Sequence, residues 1–177
     1  ANALTATRLL LASPCAYSIS SPNWIGSEGA ALVIGLALFS DYLDGPVARA
    51  TNSATPAGML FDHGTDFFFV TTSLASAAHS GYVTPFLWPL IILAFGQYVL
   101  DSRFLFKQKT LRMSFLGRWN GVLYFLPLVL IVASRLTIFE NYSEALRSAT
   151  YYCGIVLVLS TLISIFDRAA APLRKEI

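Results

Sequence analysis

Charged residues are scarce in this 177-residue chain, at 12%. Water-soluble domains carry about 25%, so an ordinary soluble domain is excluded. Cysteine is nearly absent as well. Cys15 and Cys153 are the only two, and both sit in apolar stretches, which excludes a secreted disulfide scaffold. No basic surface is dense enough to argue for nucleic acid as a partner. There is no internal repeat, low-complexity segment or long linker, so the chain reads as one domain over residues 1–177. What is present in excess is apolar: 55% hydrophobic residues and a mean hydropathy of +0.61 exclude a disordered chain.

Hydropathy divides the chain into six helical spans, near 4–20, 29–50, 57–79, 83–107, 117–138 and 147–168. Each approaches the roughly 20 residues a membrane crossing needs. The expected fold is therefore an all-α integral membrane protein, a six-transmembrane-helix bundle. The first span has one basic residue and runs straight into further spans, so it reads as a membrane helix rather than a signal peptide. An Ala at position 1 suggests that residues precede it. Turns are expected at Ser20-Ser21-Pro22-Asn23, residues 53–58, Ser80-Gly81-Tyr82 and Glu140-Asn141-Tyr142-Ser143. Pro127 is expected to kink the fifth span. Trp24, Trp88 and Trp119 fall near span ends, where interfacial belts form.

Orientation follows from the cations. Arg8, Arg49, Arg103, Lys107, Lys109, Arg112, Arg118, Arg168, Arg174 and Lys175 fall on one side, and Arg135 and Arg147 on the other. The positive-inside rule then places both termini in the cytoplasm, in the cell (inner) membrane if the source is prokaryotic.

Four carboxylates, Asp41, Asp44, Asp62 and Asp66, lie in or beside the second and third spans. On insertion scales an Asp within a membrane helix costs about 2.5–3.5 kcal/mol, so four at one depth need compensation. Asp41 and Asp44 are spaced i,i+3, and Asp62 and Asp66 i,i+4, so each pair shares a helix face. The two spans are antiparallel and both pairs fall at cytoplasmic ends, so the faces can meet. Carboxylates gathered this way call for cations between them, and all-oxygen ligation suits Mg²⁺ or Mn²⁺. Gly45, Ala48, Gly58 and Gly64 remove bulk beside them, and Arg49 supplies a cation for a phosphate oxygen. His63 follows a candidate ligand but points roughly 100° away on a helix, which suits a packing or supporting role. A divalent-cation transporter is the alternative from another class. Pores place acidic groups at mid-membrane or in rings across subunits, whereas these gather at one end.

The string Asp41-Tyr-Leu-Asp44-Gly45-Pro-Val-Ala48-Arg49, eight residues, then Gly58-Met-Leu-Phe-Asp62-His-Gly-Thr-Asp66 resembles the signature of the CDP-alcohol phosphotransferases, DxxDGxxAR followed by GxxxDxxxD. Asn2-Ala-Leu-Thr5-Ala-Thr-Arg8 resembles that family's NxLTxxR opening. The resemblance implies metal-dependent transfer of a substituted phosphate group from a CDP-alcohol donor to a hydroxyl acceptor, with release of CMP, in phospholipid biosynthesis. It implies a pair of metal ions held by Asp41, Asp44 and Asp62, and Asp66 as the catalytic base with possible metal contact. It also implies cytidine nucleotide contacts at Asn2, Thr5, Asp41, Gly45, Ala48, Arg49 and Gly58, and a homodimer. Small residues at Ala75, Ser76, Ala77 and Ala78 suit either a dimer seam or packing within the chain.

The acceptor is read from two conflicting stretches. Ala48 to Ser53 and Leu60-Phe61-Asp62-His63-Gly64-Thr65-Asp66 resemble the choline/ethanolamine phosphotransferase branch, which joins a CDP-aminoalcohol to diacylglycerol. Arg103, Lys107, Lys109, Arg112 and Arg118 form a basic stretch without acids. It suits either anionic membrane lipids or a phosphorylated polyol such as glycerol 3-phosphate, received from CDP-diacylglycerol. Arg103, Arg112 and Arg118 are the candidate acceptor-binding residues. The GKxKT-like, DPxADK and FGxAP runs of other branches are not matched.

Overall fold

A computed structural model describes residues 2–51, 55–100 and 115–170. Seven α-helices follow in order: α1 (Asn2–Ser20), α2 (Gly26–Ala50), α3 (Pro56–His79), α4 (Leu87–Leu100), α5 (Phe115–Leu123), α6 (Leu126–Ala133) and α7 (Ser143–Ala170), with a 3-10 helix at Thr137–Tyr142 before the last. The described residues contain no strand. The expected fifth span is realised as α5 and α6, so the helices correspond to the six hydropathy spans.

Local chemistry sets the boundaries. Thr55 is extended (φ −130°, ψ 153°) and its hydroxyl accepts from the Gly58 amide at 3.0 Å, while Pro56 occupies the first helical position. At the other end of α3, Gly81 adopts φ +75°, a region open to glycine. There the Gly81 amide donates to the Ala78 carbonyl and the Tyr82 amide to Ala77, which together close the helix. Pro127 lacks an N–H, so the ladder loses one bond there and tightens at Phe125, whose amide donates to the Val122 carbonyl, before it continues as α6. The expected kink falls there, with Tyr124 still bonded to the Asn120 carbonyl and Val129 to Phe125 across the junction.

α1 packs chiefly on α3 and α2, while α7 packs on α4, α5 and α6. Small residues let the first three helices approach closely: Ala12, Cys15, Ala30, Ala37 and Ala77 are essentially inaccessible. Ala77 is fully buried, Ala78 packs on the core and the Ser76 hydroxyl donates to the Ala16 carbonyl at 2.5 Å. Much of the stretch at 75–78 is therefore spent on α1, the intrachain alternative. The outward faces are apolar instead of polar. Leu10, Leu32, Phe39, Phe86, Ile163 and Phe166 stand more than half exposed, an arrangement soluble monomers avoid. Gly26–Val47, Leu116–Ala133 and Thr137–Ala170 are long and apolar enough to cross a membrane, and Leu87–Leu100 is apolar but shorter.

Arg135 ties the far end of the bundle together. It donates to the Ser18 carbonyl at 2.8 Å and the Ile19 carbonyl at 2.5 Å, meeting the unpaired end of α1, and it bonds the Tyr82 hydroxyl. Its guanidinium also lies 5.1 Å from the Tyr82 ring centre. Hydrogen bonds from a charged donor contribute about 1.5–3 kcal/mol. Arg135→Ala is expected to destabilise the fold by about that amount, read as a lower melting temperature in detergent with the active-site end unaffected.

Candidate active site

The four aspartates converge as their spacing demands. Asp41 and Asp44 lie near the end of α2, and Asp62 and Asp66 in the first half of α3. What fills the space between them is Arg8 of α1, whose side chain is completely buried. One terminal nitrogen donates to Asp41 Oδ1 at 2.7 Å and to Asp66 Oδ1; the other donates to Asp44 Oδ2 at 2.7 Å and to Asp62 Oδ1. Each nitrogen thus bridges one carboxylate of α2 and one of α3. Thr5, one turn earlier on α1, donates to Asp44 Oδ2 at 2.7 Å. Its position ties it first to Asp44.

Accessibility is graded across the cluster. Asp44 is 8% exposed, Asp66 and Asp62 about a quarter, and Asp41 44%. One guanidinium against four carboxylates leaves three negative charges. Asp44 Oδ1 is buried without a hydrogen-bond partner among the described residues. A buried carboxylate oxygen left unpaired is costly, and a divalent cation would satisfy it. The donor set therefore fits Mg²⁺ or Mn²⁺. Donor atoms of Asp62, His63 and Asp66 lie within 4.8 Å of one another, which suits a supporting role for His63.

The carboxylates open onto a cavity of about 570 Å³. Asp41, Asp62, His63 and Asp66 form part of one wall, and Arg118, Asn120, Ser164 and Arg168 part of the other, with Phe67, Phe95 and Tyr98 between. Asn120 is buried: its side-chain oxygen accepts from the Ser160 hydroxyl at 2.6 Å, and its Nδ2 has no partner among the described residues. Arg168 lies 5.0 Å over the Tyr98 ring. Of the basic stretch, Arg118 is seen on this wall, while Arg103 and Arg112 lie outside the described residues. So do the side chains of Asn2 and Ala48.

Arg49 and Gly45 are exposed at the end of α2. A Cβ built at Gly45 would meet the Arg49 guanidinium at 3.4 Å, an ordinary contact, and one at Gly64 would meet nothing within 4 Å. Neither glycine is required by packing within the chain. The Gly58 amide is used in the cap on α3, which any residue but proline could supply. The sequence reading missed Arg8 as the partner of the carboxylates and Asn120 and Arg168 as cavity residues. For Arg8, its lone charge in an apolar first span was the available signal.

Comparison with known proteins gives the same direction. The chain is 43% identical over 67 residues to chicken (Gallus gallus) cholinephosphotransferase 1, covering 37% of this chain and 19% of that protein. It is 34% identical over 90 residues to mouse (Mus musculus) ethanolaminephosphotransferase 1, covering 45% and 21%. To the CDP-diacylglycerol–glycerol-3-phosphate 3-phosphatidyltransferase of Mycoplasma genitalium it is 30% identical over 149 residues, covering 73% and 62%. The chain thus spans about a fifth of the first two relatives and under two thirds of the third. No solved structure matches it. The family description CDP-alcohol phosphatidyltransferase matches residues 1–166, which take in α1 with Arg8, all four aspartates and Arg118. By that extent of match, laid over the carboxylate cluster that the fold assembles, the chain belongs to the CDP-alcohol phosphatidyltransferase family.

Proposed function

We propose that this protein transfers a substituted phosphate group from a CDP-alcohol to a hydroxyl acceptor, releasing CMP, as a step of phospholipid biosynthesis. The observation that carries this reading is the convergence of four aspartates from α2 and α3, three of which, Asp41, Asp62 and Asp66, line a cavity that Arg118 and Arg168 also line. Its setting is a six-span membrane bundle with both termini and the site at the cytoplasmic face, acting as a homodimer. The exposed apolar faces support the bundle, the distribution of Lys and Arg supports the orientation, and the dimer rests on family resemblance.

Asp41, Asp44 and Asp62 hold the divalent ions, with Asp66 beside them and His63 within reach. When bound, the ions neutralise the donor diphosphate and the charge on departing CMP. The chain supplies the rest. Gly45, Gly58 and Gly64 leave room for the cytidine nucleotide, and Asn2, Thr5 and Ala48 border it. Arg49 meets a phosphate oxygen. Asp66 orients the acceptor hydroxyl and takes its proton as the new oxygen–phosphorus bond forms and the bond to CMP breaks. Arg118, across the cavity from Asp66, binds a phosphate on the acceptor, as Arg103 and Arg112 do in the same reading. This favours CDP-diacylglycerol as donor and a phosphorylated polyol such as glycerol 3-phosphate as acceptor. The second reading, a CDP-aminoalcohol with diacylglycerol, is supported by the local identity to the cholinephosphotransferase and ethanolaminephosphotransferases.

The test is CMP release by purified protein in detergent, with and without Mg²⁺ or Mn²⁺. CDP-diacylglycerol is paired with glycerol 3-phosphate or inositol phosphate, and CDP-choline with diacylglycerol. Metal-dependent CMP release with a phosphorylated polyol supports the first reading. Turnover with diacylglycerol alone overturns it in favour of the second.

The glycines separate folding from binding. Gly64→Ala removes backbone freedom from a helix interior where the added methyl meets open space. It is expected to hold or raise stability, by up to about 0.5–1 kcal/mol, while raising the KM for the CDP-alcohol. Thermal unfolding and donor KM measured on the same preparation check both halves.

A further inference from the structure

The role of Arg8 goes beyond the proposed transfer, although it rests on the metal reading. A fully buried guanidinium that touches four carboxylates at once is not a surface charge placed by membrane orientation. It occupies one oxygen of every carboxylate assigned to the metal centre. We propose that Arg8 is the resident counter-cation of the metal-free protein, holding the carboxylates together until divalent ions displace it.

Three observations lead there. The fork bridges α2 to α3 through both terminal nitrogens, as metal ions shared between those helices would. Without it, four like charges would face one another across the two helices, and the site would splay before any ion arrived. And Arg8 is anchored only weakly at its stem: Nε is buried without a hydrogen-bond partner among the described residues, so the guanidinium is held by the carboxylates alone. The three negative charges it leaves uncompensated draw in divalent cations. Once these take the carboxylate oxygens, the guanidinium loses its partners and meets like charge instead. Metal entry and Arg8 release are then one exchange, so the site keeps its shape at the cost of weaker metal binding.

The test uses the full chain in detergent with Mn²⁺ as the probe. Mn²⁺ affinity is read by electron paramagnetic resonance titration and stability by thermal unfolding, for wild type, Arg8→Gln and Arg8→Lys. Arg8→Gln removes the competing cation. Its Mn²⁺ Kd is expected to tighten by about tenfold or more, since each 1.4 kcal/mol of competition removed is a decade. Its melting temperature should fall below wild type without metal and rejoin it at saturating Mn²⁺, because a ligand stabilises in proportion to its affinity for the folded state. Arg8→Lys retains a charge but cannot reach all four carboxylates, so it should show the same convergence with a smaller tightening. It decides the question should Arg8→Gln fail to fold. A melting deficit that persists at saturating Mn²⁺ overturns the exchange and makes Arg8 a permanent strut. An unchanged or weaker Kd in the variants does the same. Absence of Mn²⁺ binding by wild type overturns the metal reading itself, a separate failure.

Discussion

Asn in place of Asp62 is expected to take CMP release down by about 10³-fold or more. Metal ions bridging a diphosphate supply several kcal/mol of charge stabilisation, and each 1.36 kcal/mol is a decade in rate. The amide preserves the size of the side chain and removes the charge that attracts the ion. Three carboxylates remain around Arg8, so the helices should stay together and the loss should be one of chemistry. Asp41→Asn should behave alike. Asp44→Asn should carry an additional loss of stability, because Asp44 is buried and also accepts from Thr5, and breaking a buried ion pair costs about 3–5 kcal/mol. Asp66→Asn should differ in kind. Losing a general base costs about 10²–10⁴-fold in turnover, with a smaller effect on Mn²⁺ affinity than at the other three. Turnover and Mn²⁺ Kd measured together sort ligand from base. Near-normal turnover of any variant at saturating Mg²⁺ removes that residue from its assigned role.

Arg118→Ala is expected to raise the KM of a phosphorylated acceptor by about ten- to a hundred-fold. A charge-assisted bond to phosphate is worth about 1.5–3 kcal/mol, at 1.4 kcal/mol per decade. Donor KM should move little, because Arg118 lines the cavity from α5, whereas the carboxylates come from α2 and α3. Arg103→Ala and Arg112→Ala carry the same expectation from the sequence. Arg168→Ala is the informative comparison: its guanidinium lies over Tyr98 and faces the same cavity. Diacylglycerol has no charge to lose, so with that acceptor all four changes should leave KM within a few-fold. Acceptor and donor KM for each variant, with labelled glycerol 3-phosphate, inositol phosphate and diacylglycerol in turn, separate the cases.

The parts of this site readable from sequence are those set by local geometry. Spacing of i,i+3 and i,i+4 puts each aspartate pair on one helix face whatever the rest of the chain does, and the structure brings the pairs together. Helix boundaries were readable where a turn residue acts on its neighbours, as Thr55, Pro56 and Gly81 do. Arg8 was not readable as the partner of the carboxylates, because they lie 33 to 58 residues away. Only the packing of α1 across α2 and α3 brings it there. His63 stands three residues before Asp66, a spacing that puts the two on one helix face, and its closeness to Asp62 and Asp66 is compatible with the supporting role read from the sequence. Residues 75–78 illustrate a different limit. A run of alanine and serine permits close approach but does not say to which helix, and α1 claims much of it.

The two walls of the cavity are written in separate lengths of chain. All four aspartates of the site, with Arg8 and the glycines beside them, lie within the first 66 residues. The cations that face them come from α5 and α7. On the proposed reading, bond breaking and acceptor choice are thus heritable apart, and the later helices could change through descent to admit a new alcohol without disturbing the carboxylate cluster. A chimera keeping α1 to α3 of this chain and taking its later helices from a relative should accept that relative's alcohol.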